Sequence, residues 1–163
     1  DPVMGNPNGS LTVYEFSDYN CGYCKRMFAS TMQMLVANGD VRIVIKEFPI
    51  LSQSSVTAAK AGIAAQKQGK FKSFHTEMMT YRGQVNDASI MQAAGTAGLD
   101  LALLKQDMNS PKTTAIITRT RSAAAALSIN GTPGLVIGDT VIPGAIGMEE
   151  LQTVIDKERT EQR

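Results

Sequence analysis

Thr12-Val13-Tyr14-Glu15-Phe16-Ser17-Asp18-Tyr19-Asn20-Cys21-Gly22-Tyr23-Cys24 is the stretch on which the fold turns. A β-rich run comes first, then a polar turn, then a C-x-x-C pair that opens an amphipathic helix. From Cys21, small or apolar residues fall at Cys24, Phe28, Thr31, Leu35 and Val36, the spacing of one helix face. Asn38-Gly39 is a stop signal for that helix. Cys21 therefore sits in the first turn, where backbone N–H groups are unpaired and the helix dipole is positive. Such a site stabilises a thiolate and lowers its pKa below the free value of about 8.5. The thiolate is the nucleophile of thiol–disulfide exchange. Cys24, three residues on, lies on the same side of the helix.

Two other readings of the pair compete. A zinc site wants four ligands, and the chain holds 2 Cys and 1 His, with His75 far away in sequence. A structural disulfide between Cys21 and Cys24 closes a tiny loop and so contributes little chain-entropy stabilisation. The strand–C-x-x-C–helix context favours a redox pair.

The 163 residues make one ordinary domain, long enough for a real core. With 16 basic against 15 acidic residues and no basic block, nothing points to nucleic acid. No apolar run reaches transmembrane length. The chain starts at Asp1-Pro2-Val3 without a signal-peptide pattern, so either the protein is cytosolic or its leader has been removed. The 9 Met fall mostly on helical apolar faces, which reads as core packing.

Asp1 to Ser10 is rich in Pro, Gly and Asn and reads as a loop or extended arm. Leu11 to Ser17 is a strand. Glu15 within it faces solvent, or the interior if the strand is buried on both faces. Val41 to Phe48 is a second strand with a near-continuous apolar core, ended by Pro49. Strand, helix and strand make a βαβ unit with parallel strands and a right-handed crossover. Lys46 is a surface lysine or a partner for Glu15 beneath the cysteines. Ser54-Ser55 can cap a helix that Gly69 breaks, and Phe71 to Tyr81 gives another, with His75 beside its apolar face as a packed residue. Asp87 and Asp100 cap two more. Residues 53–108 thus read as a helical insertion within a domain made of 1–52 and 109–163. Pro111 opens a helix to about Ser128. The loop Asn130-Gly131-Thr132-Pro133-Gly134 follows, then a hairpin turning at Gly138-Asp139. A last helix runs from about Met148 to Glu158, and the charged tail from Lys157 is expected to fray.

The order is that of a thioredoxin fold, α/β, with an inserted helical domain. On Val13-Tyr14-Glu15-Phe16, Cys21-Gly22-Tyr23-Cys24, Lys46-Glu47-Phe48-Pro49 and Gly131-Thr132-Pro133, the chain resembles the DsbA-like thiol–disulfide oxidoreductases of the bacterial envelope. The resemblance implies a catalytic set of Cys21 as exposed nucleophile, Cys24 as buried resolving thiol, Glu15 as buried acid and Lys46 as its basic partner. It implies a substrate site of Gly22, Tyr23, Gly131, Thr132 and Pro133. Pro133 would be the cis-proline, and the backbone of Thr132 would pair with an extended substrate strand. DsbA has Pro-His between its cysteines. Cys-Gly-Tyr-Cys and a Thr before the proline look more like DsbC and ScsC, which isomerise disulfides as dimers or trimers through N-terminal segments. Ten residues precede the first strand here, so such a module was trimmed off or the protein works as a monomer. The expectation is a periplasmic enzyme, leader removed, with no cofactor beyond the Cys21-Cys24 disulfide and no metal. Its partners would be unfolded or misfolded protein thiols and disulfides and a membrane redox protein. The rival function is Cu(I) handling by the reduced pair.

Overall fold

The computed structural model describes residues 1–162, the side chain of Val36 excepted; Arg163 and the place of Val36 on its helix face lie outside the described residues. Five strands form one sheet: β1 (Val3–Gly5), β2 (Leu11–Ser17), β3 (Val41–Glu47), β4 (Gly134–Ile137) and β5 (Thr140–Pro143). Their spatial order is β1-β3-β2-β4-β5. Strands β2 and β3 are parallel and the other pairs antiparallel. Helix α1 (Gly22–Ala37) is the crossover between β2 and β3. The helical block is α2 (Gln53–Lys67), α3 (Phe71–Thr80), α4 (Asp87–Thr96) and α5 (Leu101–Met108), and α6 (Pro111–Ala126) and α7 (Met148–Glu161) follow.

The β2–β3 register runs from Leu11↔Val41 to Ser17↔Glu47 without a break. Because side chains alternate, Leu11, Val13, Glu15 and Ser17 share one face with Val41, Ile43, Ile45 and Glu47. That face packs on α1, α7 and the helical block in one continuous core that includes Phe71, Phe74, Met78 and Ile90. The opposite face carries Phe16 and Phe48 against Ala124 of α6 and Ile129.

This alternation overturns the pairing of Lys46 with Glu15. Glu15 registers with Ile45, and Lys46 with Phe16, so the two charged side chains leave opposite faces of the sheet. Lys46 Nζ instead lies 2.8 Å from Asp1 Oδ2. The N-terminal arm brings Asp1 there because Val3–Gly5 forms an edge strand on β3, and Ile45 N–H donates to Pro2 O at 2.9 Å. Three residues among Pro, Gly and Asn carry too little pattern to show a strand. The charged tail does not fray at Lys157 either. Helix α7 continues to Glu161, held by Arg159, which donates to Asp40, to Asn38 Oδ1 at 2.7 Å and to Asp156 at 2.8 Å. Two caps also shift from their expected positions. Ser52, rather than Ser54-Ser55, accepts from Ser55 N–H at the start of α2, and Asn86, rather than Asp87, forms a capping box with Ser89.

Helical block and sheet are joined through a buried polar contact. The Tyr19 hydroxyl lies 2.9 Å from Glu47 Oε1 and 2.9 Å from His75 Nδ1. His75 comes from α3, and its ring packs on Phe71 and Phe28 at centroid distances of 5.0 and 5.6 Å. Burial lowers its pKa to about 3, so the imidazole is neutral. A hydroxyl has one hydrogen. If it donates to Glu47, the neutral His75 must carry its proton on Nδ1 and donate to the Tyr19 oxygen.

Gly62 of α2 completes this contact. A Cβ there would fall 2.6 Å from Glu47 Oε1 and 2.9 Å from the Tyr19 hydroxyl. Alanine is the better helix former by about 1 kcal/mol. Gly62→Ala is nevertheless expected to destabilise the protein by about 1–3 kcal/mol, because it displaces a buried hydrogen bond. Urea unfolding measures this, and a variant as stable as the wild type refutes it.

Candidate active site

Cys21 is the N-cap of α1, with φ −79° and ψ 112°. Its Sγ accepts from the Cys24 backbone N–H at 3.2 Å, as a capping serine oxygen would. Both cysteines are free thiols in the structure. Cys24 is 0 % exposed and Cys21 5 %. The Cys21 pKa is lowered to about 6. The largest cause is the hydrogen bond with the Cys24 thiol, joined by Thr132 and by the backbone N–H groups of Cys24 and Tyr23, against the opposing effect of burial. Cys24 moves the other way: its partnership with the Cys21 sulfur and its burial push its pKa far above the ordinary thiol range. One nucleophile is ready at neutral pH, and the second is held as a thiol beneath it.

The polar turn before Cys21 is anchored at both ends. Asp18 O accepts from Cys21 N–H at 3.0 Å. The Asp18 carboxylate accepts from the N–H groups of Asn20, Ile50 and Leu51 at 2.8, 2.9 and 3.1 Å. The Asn20 side-chain amide donates to Ser52, Ser54 and Ser55 at the start of α2. These bonds fix the active-site turn to the segment that follows β3 and present Ile50 and Leu51 as exposed apolar side chains beside it.

From the far side comes the loop between α6 and β4. The Cys21 thiol donates to Thr132 O at 3.3 Å, and the Thr132–Pro133 peptide is cis. Gly131, Thr132 and Pro133 line an open groove of about 390 Å³ that also takes in Asn130, Val141 and Gly144. Gly22 and Tyr23 open α1 directly after Cys21 and do not line that groove. Tyr23 is 62 % exposed, with the Arg26 guanidinium 4.3 Å above its ring centroid.

Beneath the cysteines Glu15 is fully buried, flanked in the sheet by Ile45 and Leu135. Burial raises its pKa to about 7, and interaction with Cys21 adds to this, against a lowering contact with Ser17. Glu47 is buried too, its pKa raised by desolvation and by Asp18 and Glu15. The structure thus brings together Cys21, Cys24, Glu15, Gly22, Tyr23, Gly131, Thr132 and Pro133, and leaves Lys46 on the other face. Ser17, Asp18, Tyr19 and Glu47 were given no site role in the sequence, and His75, read there as a packed residue, is buried as expected. Glu47 shares the parity of Ile45 within a β-rich run, and that was the one signal available for it. Among the described residues, no group of three His, Cys, Asp or Glu side chains is placed to hold a metal ion.

The Thioredoxin_4 family model, described as thioredoxin, matches residues 1–157. A thioredoxin-like oxidoreductase from Silicibacter pomeroyi is similar at 41% identity and a TM-score of 0.94, covering 98% of this chain and 92% of that one. A periplasmic thioredoxin-like protein from Salmonella enterica serovar Typhimurium is similar at 30% identity and a TM-score of 0.86, covering 96% and 88%. The thiol–disulfide exchange protein α-DsbA2 from Wolbachia pipientis is similar at 29% identity and a TM-score of 0.89, covering 96% and 86%. Among curated relatives, the Na(+)/H(+) antiporter NhaA 3 of Salinispora tropica is 26% identical over 157 residues, 95% of this chain. The chain spans about a quarter of the length of the curated relatives it matches.

Two outcomes follow from the titrating groups. Alkylation of the reduced protein should modify Cys21 first, its rate rising through a midpoint near pH 6, with Cys24 unreactive until the protein is unfolded. Labelling of Cys24 first, read by peptide mass mapping, refutes the assignment. Glu15 has a folded pKa of about 7, raised from 4.5. Its contribution to stability is full below about pH 4.5 and is lost as pH rises through 7. Relative to Glu15→Gln, the wild type should lose up to about 3 kcal/mol over that span, as measured by denaturant unfolding at several pH values.

Proposed function

Since the chain belongs to the thioredoxin family, we propose that it is a thiol–disulfide oxidoreductase acting on cysteines of unfolded or misfolded proteins. The observation that carries this reading is the pairing of an N-cap Cys21 whose pKa is lowered to about 6 with a buried Cys24 whose thiol is held protonated. In reduction, the Cys21 thiolate attacks one sulfur of a substrate disulfide and the other leaves as a thiolate. Cys24 then attacks Cys21 Sγ and forms the Cys21–Cys24 disulfide, and the second substrate sulfur leaves. Oxidation is the reverse: a substrate thiolate attacks Cys21 of the disulfide form and Cys24 leaves. In either direction the pair exchanges two electrons with the substrate and needs no further cofactor.

The substrate lies across the open groove, its backbone beside Thr132 and its side chains against Tyr23, Ile50 and Leu51. The three side chains are exposed and apolar, which suits the unfolded chains that display buried cysteines. The protein works in the periplasm, where disulfides persist, and a membrane redox protein resets the pair. The periplasmic relative from Salmonella supports that location. The DsbA-like alternative oxidises substrate thiols, whereas the ScsC-like one isomerises disulfides with no net transfer of electrons. A Cys21 pKa of about 6 lies between the thiols of thioredoxin, about 7, and DsbA, about 3.5.

Insulin reduction and the refolding of scrambled ribonuclease test the activity. Cys21→Ser should abolish both, and Cys24→Ser should accumulate mixed disulfides through Cys21. An active Cys21→Ser protein refutes the proposal. The reduction potential, titrated against glutathione, should fall between about −270 mV for thioredoxin and about −120 mV for DsbA. Tyr23→His should raise it and lower the Cys21 pKa, since a protonated imidazole beside Cys21 favours the thiolate. If neither quantity moves, the electrostatic reading of the Gly22-Tyr23 dipeptide is wrong.

A further inference from the structure

The resolving step leaves a proton unplaced: Cys24, 0 % exposed, must lose it before attacking Cys21. One buried group there is unexplained. Ser17 is 1 % exposed, and its Oγ has no hydrogen-bond partner of good geometry. A buried hydroxyl left unpaired costs about 1–3 kcal/mol. It shares its sheet face with Glu15, two residues back on β2, at a spacing of about 6.6–6.8 Å. It lies within interaction range of both the Glu15 carboxyl and Cys24 Sγ. The hydroxyl is thus a buried, unpaired neighbour of both the thiol that must lose a proton and the carboxyl that can take it.

We propose that Ser17 is a proton-relay residue, whose hydroxyl accepts the Cys24 thiol proton and passes its own to the Glu15 carboxylate as Cys24 resolves the mixed disulfide. This rests on the disulfide-exchange reading given above. The step balances. The Cys24 S–H bond breaks, a proton moves from Cys24 to Ser17, and the Ser17 proton moves to Glu15. The Cys24 thiolate forms a bond to Cys21 Sγ, and the substrate sulfur leaves with the electron pair of the broken Cys21–substrate bond. The cysteine pair is oxidised by two electrons and the substrate disulfide is reduced. In the reverse direction Glu15 returns the proton through Ser17 as Cys24 leaves.

The surroundings suit the relay. Glu15, whose pKa is about 7, is partly ionised near neutrality and is matched to receive a proton there. The titratable groups that face it are Cys21 from the N-cap of α1, Tyr19 from the turn and Glu47 from β3. On β4 its neighbour is Leu135, and Lys46 is on the other side of the sheet. Among the described residues, therefore, no cation holds Glu15 ionised against accepting the proton. A hydroxyl between two titrating groups can also reverse its donor and acceptor roles by rotating about one bond.

Stopped-flow reaction of the reduced protein with dithiobis-nitrobenzoate separates the two steps, because each releases one coloured thiolate. The first release reports Cys21 and the second reports resolution by Cys24. Ser17→Ala should slow the second release roughly a hundredfold near neutral pH and remove its inflection near pH 7. The first release should change less than about twofold, because the Cys21 thiolate is stabilised by other groups. Ser17→Thr, which keeps the hydroxyl, should keep the inflection. A Ser17→Ala second release at the wild-type rate, with the inflection intact, overturns the relay. On the wild-type protein, which needs no variant to fold, the second release in H2O–D2O mixtures should depend on deuterium content along a curve, the signature of two protons in flight. A straight line overturns the relay. If the wild-type protein releases no second thiolate at all, the disulfide-exchange reading itself fails.

Discussion

The Cys24 N–H···Sγ contact of Cys21 is the bond on which the rest of the site depends. It makes a sulfur atom serve as a helix cap, so starting α1 and stabilising a thiolate are one event. A serine in that place would cap as well but could not take part in exchange. The three-residue spacing follows from the same bond. The residue that caps with its side chain and the residue that donates to it are neighbours across one turn, and the second thiol is thereby carried under the first. The fold then has three tasks around this turn: to anchor its start, to cover one side of it, and to exclude water beneath it. Asp18 and Asn20 do the first, the Thr132–Pro133 loop the second, and Glu15, Ser17 and the core face of the sheet the third.

The elements with strong period or strong punctuation were legible in the sequence. Strands β2 and β3, helix α1 with its Asn38 stop, Pro111 at the start of α6 and the Gly138 hairpin all follow from local patterning. The cysteine chemistry was legible too, because it depends on position along a helix and on little else. What was hidden depends on register. Lys46 and Glu47 are adjacent, and either can be drawn toward the cysteines until the pairing of β2 with β3 is known. A shift of one residue exchanges every inward side chain for an outward one. The register places Glu47 inside and Lys46 outside, so the buried partner of the turn is a second acid rather than a base.

That outcome changes the electrostatics of the interior. Two carboxyl groups, Glu15 and Glu47, lie on one sheet face with no lysine among them; burial raises both pKa values, and Glu15 adds to the rise at Glu47. An inward Lys46 would have held Glu15 ionised and inert near neutrality. Without it, burial sets the pKa of Glu15 in the range where a proton can arrive and depart. The Asp18 and Ser17 roles were illegible for a related reason: both act through partners, Ile50 and Leu51 in one case and Cys24 in the other, that folding rather than sequence proximity supplies.

The Tyr19 hydroxyl has a consequence for how far this chain can be taken apart. It sits between Glu47 on the sheet and His75 in the helical block, with one hydrogen to serve both. Chain order invites the view that residues 53–108 are a separable insert, exchangeable among proteins of this shape. Removing the block would strip Tyr19 and Glu47 of their third member and open the floor of the site to water. Grafting in a foreign block would demand a side chain at the His75 position that can hydrogen-bond the tyrosine hydroxyl, and a helix as slim as the one at Gly62. Catalytic core and insert are thus bound by a matching condition on a single proton, and they can be expected to change only together.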